Sequence, residues 1–157
     1  MTLETILLAV GPSDKDRAEE LAEAVTEIAV PSDADVVIGH VFTREEFDSA
    51  AERLEFEMGN DAEPDEVARR HQSVRDIVDR LSENGVDVTV RGAVGDHAEM
   101  INRLAEQTGA DRVVVGGRKR SPTGKAVFGS LAQEVMLSAP CPVTFVRGRE
   151  KKQKIEA

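Results

Sequence analysis

Short apolar runs alternate with amphipathic stretches along the whole chain. Residues 5–10 form a nearly continuous apolar run, the pattern of a strand covered on both faces. After Gly11-Pro12, Ser13 with Asp16 three residues on resembles a capping box at a helix start. Ala18, Leu21, Ala22, Val25, Ile28 and Ala29 then recur at three- and four-residue spacing, which predicts one apolar helical stripe. Pro31 is expected to end it. Residues 36–42 read as a second strand, and the acidic stretch 43–64 as a short helix over a loop. From Pro64 a helix is predicted with Val67, Val74, Ile77, Val78 and Leu81 facing inward, stopping near Gly85. Residues 86–91 alternate apolar and polar and predict a third strand. Asp96 with Glu99 opens a helix bearing Ala98, Ile101, Leu104 and Ala105, closed at Gly109. A fourth strand at 112–115 runs into Gly116-Gly117. A helix with Leu131, Val135 and Met136 stops at Pro140, and 142–147 is the fifth strand.

Five strands alternating with four helices imply right-handed crossovers. The fold expected is α/β: a three-layer sandwich around an open five-stranded parallel sheet, flavodoxin- or Rossmann-like. No linker or internal repeat divides the chain. Residues 1–148 are therefore read as a single domain and 149–157 as a polar C-terminal tail.

Composition narrows the partners. The 157 residues carry 30 Asp+Glu against 20 Lys+Arg, a net charge of −10. That balance opposes duplex binding, which needs basic groups to neutralise phosphates. With no Trp, no Tyr and five Phe, a base-stacking platform is hard to build. No nucleic-acid partner is expected. No apolar run approaches the ~20 residues that cross a bilayer, so no membrane insertion is expected either. A lone cysteine, Cys141, excludes an intrachain disulfide and suits a reducing cytoplasm. Of the basic residues 14 are Arg and only 6 Lys. An acidic, lysine-poor surface points to a salt-rich interior, where counterions screen self-repulsion.

In an open parallel sheet a ligand binds beyond the carboxyl ends of the strands, where strand order reverses. The loop after strand four is the informative one. Between Gly116 and Ser130 it holds four basic residues (Arg118, Lys119, Arg120, Lys125) and no acidic one. Glycine permits close backbone approach. A helix opening at Gly129-Ser130 offers unpaired N–H groups to an anion. A phosphate-binding loop and a merely solubilising one both fit this composition. A Walker A loop is excluded, because Lys119 stands where its first glycine belongs and Ala126 follows Gly124-Lys125.

The run from Gly116 to Gly129-Ser130, followed by Ala139-Pro140-Cys141-Pro142-Val143, resembles the signature of the universal stress protein (UspA-like) family, G-x2-G-x9-G-(S/T) and then A-P-C-P-V. Residues 6–10 with Ser13-Asp14 are similar to its first strand and turn. His40-Val41 is similar to the end of its second strand, and Gly95-Asp96-His97-Ala98 to a helix start of the family. Two positions depart from the pattern: Lys119 replaces the second motif glycine, and Gly11 replaces an aspartate that contacts the adenosine end. The resemblance implies a fold of the adenine nucleotide alpha hydrolase type and a non-catalytic stress-response domain. It implies ATP or AMP, with Mg2+ through the phosphates. Gly116, Arg118, Lys119, Gly129, Ser130 and Leu131 would hold the phosphates, while Ala9, Val10, Gly11, Val41 and Val115 frame the base and ribose. It also implies a homodimer through the last strand, at Val143, Thr144, Phe145 and Val146. The alternative is an interaction protein without nucleotide, signalling through dimerisation and partner binding.

The remaining chemistry-bearing residues have plainer readings. His40, His71 and His97 lie on separate elements without metal-ligand spacing. His97 reads as a solvated helix-start residue, Glu45-Glu46 as a hydrated face, and Cys141 as a small buried hydrophobe.

Overall fold

A computed structural model describes residues 3–58, 63–117 and 130–147. Its strands are β1 (Thr5–Val10), β2 (Asp35–Phe42), β3 (Val88–Val94), β4 (Arg112–Gly117) and β5 (Val143–Arg147). They form one parallel sheet in the order β3-β2-β1-β4-β5. The chain therefore winds outward from β1 in one direction through β2 and β3, then in the other through β4 and β5. The reversal falls between β1 and β4.

Side chains alternate across the strands with period two. Ile6, Leu8, Val36, Ile38 and Val114 enter one core cluster, with α1 (Ala18–Ser32) and α4 (Gln72–Glu83). Leu7, Ala9, Val41, Val113 and Val115 enter a second, with α5 (His97–Thr108) and α6 (Ser130–Ser138). The helices α2 (Arg44–Met58) and α3 (Pro64–Arg70) complete the first layer. The three-layer α/β sandwich read from the sequence is the fold observed.

Several local expectations are corrected. The first crossover does not begin as an α-helix capped by Ser13. Pro12–Arg17 is a 3-10 turn, because Gly11 N–H donates to Asp14 Oδ2 at 2.8 Å and Asp14 N–H to Gly11 O at 3.1 Å. Pro31 does not terminate α1 but sits in its last turn. The helix ends at Asp33 in the left-handed region (φ 58°), whose N–H caps the Ala29 and Val30 carbonyls. In the acidic stretch the helix is longer than expected, 15 residues of α2, and 59–62 lie outside the described residues. The long helix expected from Pro64 is broken at His71, whose extended backbone (ψ 132°) ends α3 and starts α4. Strand β3 lies at 88–94 and not 86–91, and β4 runs on through Gly117. At α5, Asp96 Oδ2 accepts from Glu99 N–H as the spacing implied, and Gly109 closes the helix with φ 66°.

The two sheet edges are treated differently. On β3, α3 lies across the edge, and Gly92 N–H donates to Asp65 Oδ1 at 2.7 Å. A β-carbon on Gly92 would run into the Pro64 carbonyl, so only glycine lets α3 approach. At the opposite edge, no element among the described residues pairs with the outer side of β5.

Candidate functional site

The β1–β4 ladder runs as far as Ala9 opposite Val115, leaving Val10 and Gly116 at the mouth of the crevice where strand order reverses. A buried ion pair stands over it. Arg17 Nε lies 2.8 Å from Asp14 Oδ1, and the two side chains are only 11% and 7% exposed. A β-carbon added to Gly116 would lie 3.0 Å from Asp14 Oδ1 and 3.1 Å from Arg17 Nε, so the missing side chain at Gly116 is what admits the pair. The other carboxylate oxygen is held by the Gly11 amide. Gly11 itself has extended backbone (φ −109°), and Asp14 Oδ2 is the nearest atom, at 3.7 Å, to a β-carbon built there.

Beside this pair, Ala9, Val10, Gly11, Val41 and Leu131 surround a cleft of about 10 Å³, closed by His97 and Ile101. The structure thus brings five of the sequence-predicted residues to one place. Such a volume holds at most one water. Val115 lies alongside on β4, and Ser130 opens α6. Arg118, Lys119 and Gly129 lie outside the described residues.

A second, larger cleft of about 380 Å³ opens behind His40, between β2, α2 and His71. The sequence did not point to it. His40 is 2% exposed, with its ring 4.4 Å from that of His71 and 4.6 Å from that of Phe42. Its Nδ1 lies 2.7 Å from Val10 O. A carbonyl only accepts, so Nδ1 carries the proton and Nε2 is left as an acceptor. His97 starts α5 as read and is 31% exposed, but it is not merely solvated. Its Nε2 lies 3.1 Å from Glu46 Oε1, tying α5 to α2. Burial opposes the charge on Glu46, but the Thr43 amide and His97 outweigh it and hold the carboxyl below its usual range. Cys141 is half-buried and not the fully buried residue expected, and burial raises its thiol, which suits an inert residue and not a nucleophile.

Burial, and then the adjoining His71, lower the His40 pKa to about 4. His71 is lowered too, by burial and then by Arg53. The Val10 carbonyl and Glu46 work in the opposite direction on His40, while His97 adds to the lowering. The unfolded chain takes up a proton at His40 below about pH 6.5, whereas the folded chain does so only near 4. The stability this neutral imidazole contributes is therefore complete above pH 6.5 and is lost as pH falls toward 4. The loss from His40 alone is about 3 kcal/mol. Replacing His40 by Asn keeps a donor for Val10 O and removes the titration. Urea unfolding between pH 7 and 4 should fall less steeply for that variant than for the wild type, and parallel curves would refute the assignment.

A third cleft, of about 690 Å³, lies between α1 and α4, lined by Glu19, Glu23, Glu27 and Glu83. It is acidic and remote from the carboxyl ends of the strands, so it is no place for an anion.

Comparison with known proteins bears on the crevice. The family model described as "Universal stress protein family" matches residues 2–147. The chain belongs to that family. A universal stress protein of Mycolicibacterium smegmatis is 35% identical over 88 residues, covering 55% of this chain and 68% of that protein. Among solved structures, the universal stress protein from Archaeoglobus fulgidus in complex with dAMP superposes with a TM-score of 0.63 at 19% identity. That match covers 93% of this chain and 99% of that one. A universal stress protein family member from Arabidopsis thaliana with AMP bound superposes with a TM-score of 0.63 at 17% identity, covering 98% and 96%. At these identities the two structures establish the shared fold. Like them, this chain has the universal stress protein sheet. No helix among the described residues is long and apolar enough to cross a membrane.

Sequence reasoning missed Asp14, Arg17 and the His40–His71 contact. The Gly11-to-Asp14 spacing was the available signal for the first two. The histidines, 31 residues apart, meet only because α3 ends where it does.

Proposed function

We propose that this universal stress protein is a non-catalytic regulatory domain of the stress response. In this reading it binds an adenine nucleotide, ATP or AMP, at the carboxyl ends of β1, β2 and β4. The observation that carries the reading is the crevice where strand order reverses and Ala9, Val10, Gly11, Val41 and Leu131 converge at the strand ends. The dAMP and AMP found in relatives of the same fold support it. The phosphates would lie toward Gly116, Ser130 and the loop carrying Arg118, Lys119 and Gly129. The base would lie toward Val41, with Leu131 and His97 withdrawing to admit it. Among the described residues no group of three or more His, Cys, Asp or Glu could hold a metal, so Mg2+ would arrive on the phosphates. The carboxylate at the crevice is committed to Gly11 and Arg17, which favours binding over turnover.

Thermal unfolding with and without AMP or Mg·ATP tests this. At a nucleotide concentration ~100 times Kd the stabilisation is ~2.7 kcal/mol. For a chain of this size the midpoint should rise by roughly 5–10 °C. The narrowness of the 10 Å³ cleft favours the second reading, an interaction protein without nucleotide. An unchanged midpoint at millimolar nucleotide would select it.

The β5 edge, with which no described element pairs, supports the homodimer. The side chains of Val143 and Phe145 turn toward α5 and α6, Val146 turns toward the opposite cluster, and Thr144 Oγ1 accepts from Arg112 at 3.2 Å. All four are half-buried on the sheet faces, so a second β5 would meet this one through its backbone. With a chain of 17.0 kDa, sedimentation should give twice that mass, and a mass of one chain would rule the dimer out.

A further inference from the structure

We infer that Glu46 governs entry of the nucleotide, as a positioning residue that holds His97 across the mouth of the crevice. This rests on the nucleotide reading above. The cleft of about 10 Å³ is too small for a purine, so some of its wall must move. Most of the wall is fixed. Ala9, Val10, Val41 and Ile101 are buried. Val10 O accepts from His40 Nδ1, and the Gly11 amide donates to Asp14 Oδ2. Leu131 and His97 are only partly buried and can give way. Leu131 is held by apolar packing, His97 by a directed bond. His97 also stands at the first position of α5, where its ring can swing into solvent.

That bond runs to Glu46. A carboxylate only accepts, so His97 Nε2 carries the proton and donates to Glu46 Oε1 at 3.1 Å. Glu46 is itself anchored. Its Oε1 also accepts from the Thr43 amide at 2.8 Å, and its own amide donates to Thr43 Oγ1 at 3.1 Å, a capping box at the start of α2. Thr43 directly follows β2, and His97 lies three residues past β3, so the link spans the carboxyl ends of both strands. A nucleotide entering beside Val41 must break the His97 bond, and Glu46 stays where it is. A partly exposed bond of this kind is weak enough to open. While closed it lowers the population of the open crevice, and so the apparent affinity, without touching the ligand.

Titration of the full chain with AMP and with adenosine tests this, followed by amide line shapes that give affinity and dissociation rate together. Glu46→Gln keeps an acceptor for the Thr43 amide but loses the charge, and His97→Ala removes the ring. Both variants should bind both ligands more tightly, about two- to fivefold for Glu46→Gln, through faster association at an unchanged dissociation rate. Adding Glu46→Gln to His97→Ala should give no further gain, because Glu46 acts only through His97. Unchanged or weaker AMP binding in Glu46→Gln would overturn the inference. So would a gain for AMP that adenosine does not share, or one that persists without His97, since either marks plain charge repulsion of the phosphate. If His97→Ala does not fold, the comparison of AMP with adenosine in Glu46→Gln decides alone. A wild type and variants that all bind neither ligand would instead overturn the nucleotide reading itself, and the inference with it.

Discussion

Gly92→Ala is expected to lower the unfolding free energy by more than about 3 kcal/mol, beyond the usual range for overpacking. The added β-carbon would meet the Pro64 carbonyl and the Asp65 amide, which are backbone atoms that cannot rotate aside. Relief requires α3 to lift from β3. That breaks the bond from Gly92 N–H to Asp65 and exposes Val67 and Ala68, both buried. Gly11→Ala is the natural control. There the nearest atoms are 3.7 and 4.0 Å from the added carbon and the backbone is extended, so stability should change little. Urea unfolding of the two variants measures the contrast, and a Gly92→Ala loss under about 1 kcal/mol would refute the packing argument.

Asp14→Ala should cost about 3–5 kcal/mol, the range for breaking a buried pair from one side. The truncation leaves the Arg17 guanidinium buried without its carboxylate and takes the acceptor from Gly11 N–H. Asp14→Asn, which keeps an acceptor for the Gly11 amide, should lose less than Asp14→Ala. Equal losses in the two variants would refute the part assigned to the Gly11 bond.

The fold was legible because its determinants are local and periodic. The apolar run at 5–10, the stripe from Ala18 to Ala29 and the Asp96–Glu99 spacing each reported one element. Their alternation left essentially one architecture. The errors fell where tertiary contact overrides local signal. Pro31 ends a helix only if nothing else does, and here the left-handed Asp33 does so two residues later. The break at His71 carries no proline or glycine to announce it.

The site was legible in part. The glycines and small apolar residues at the strand ends do converge. Their convergence follows from the sheet register, which the alternation of elements already implied. The charged pair over Gly116 was not visible, because a carboxylate displaced by three residues looks like a helix cap until the turn is known to be 3-10. The histidine contact joins β2 to the α3–α4 junction and depends wholly on packing.

The claim that the β1–β4 crevice is the nucleotide site is tested most directly by following backbone amides during an AMP titration. The amides of Gly11 and Gly116 should shift together and saturate, while those of Gly85 and Gly109, just beyond the C-terminal ends of α4 and α5, stay put. Saturable shifts that spare Gly11 and Gly116, or spectra unchanged at millimolar AMP, would contradict it.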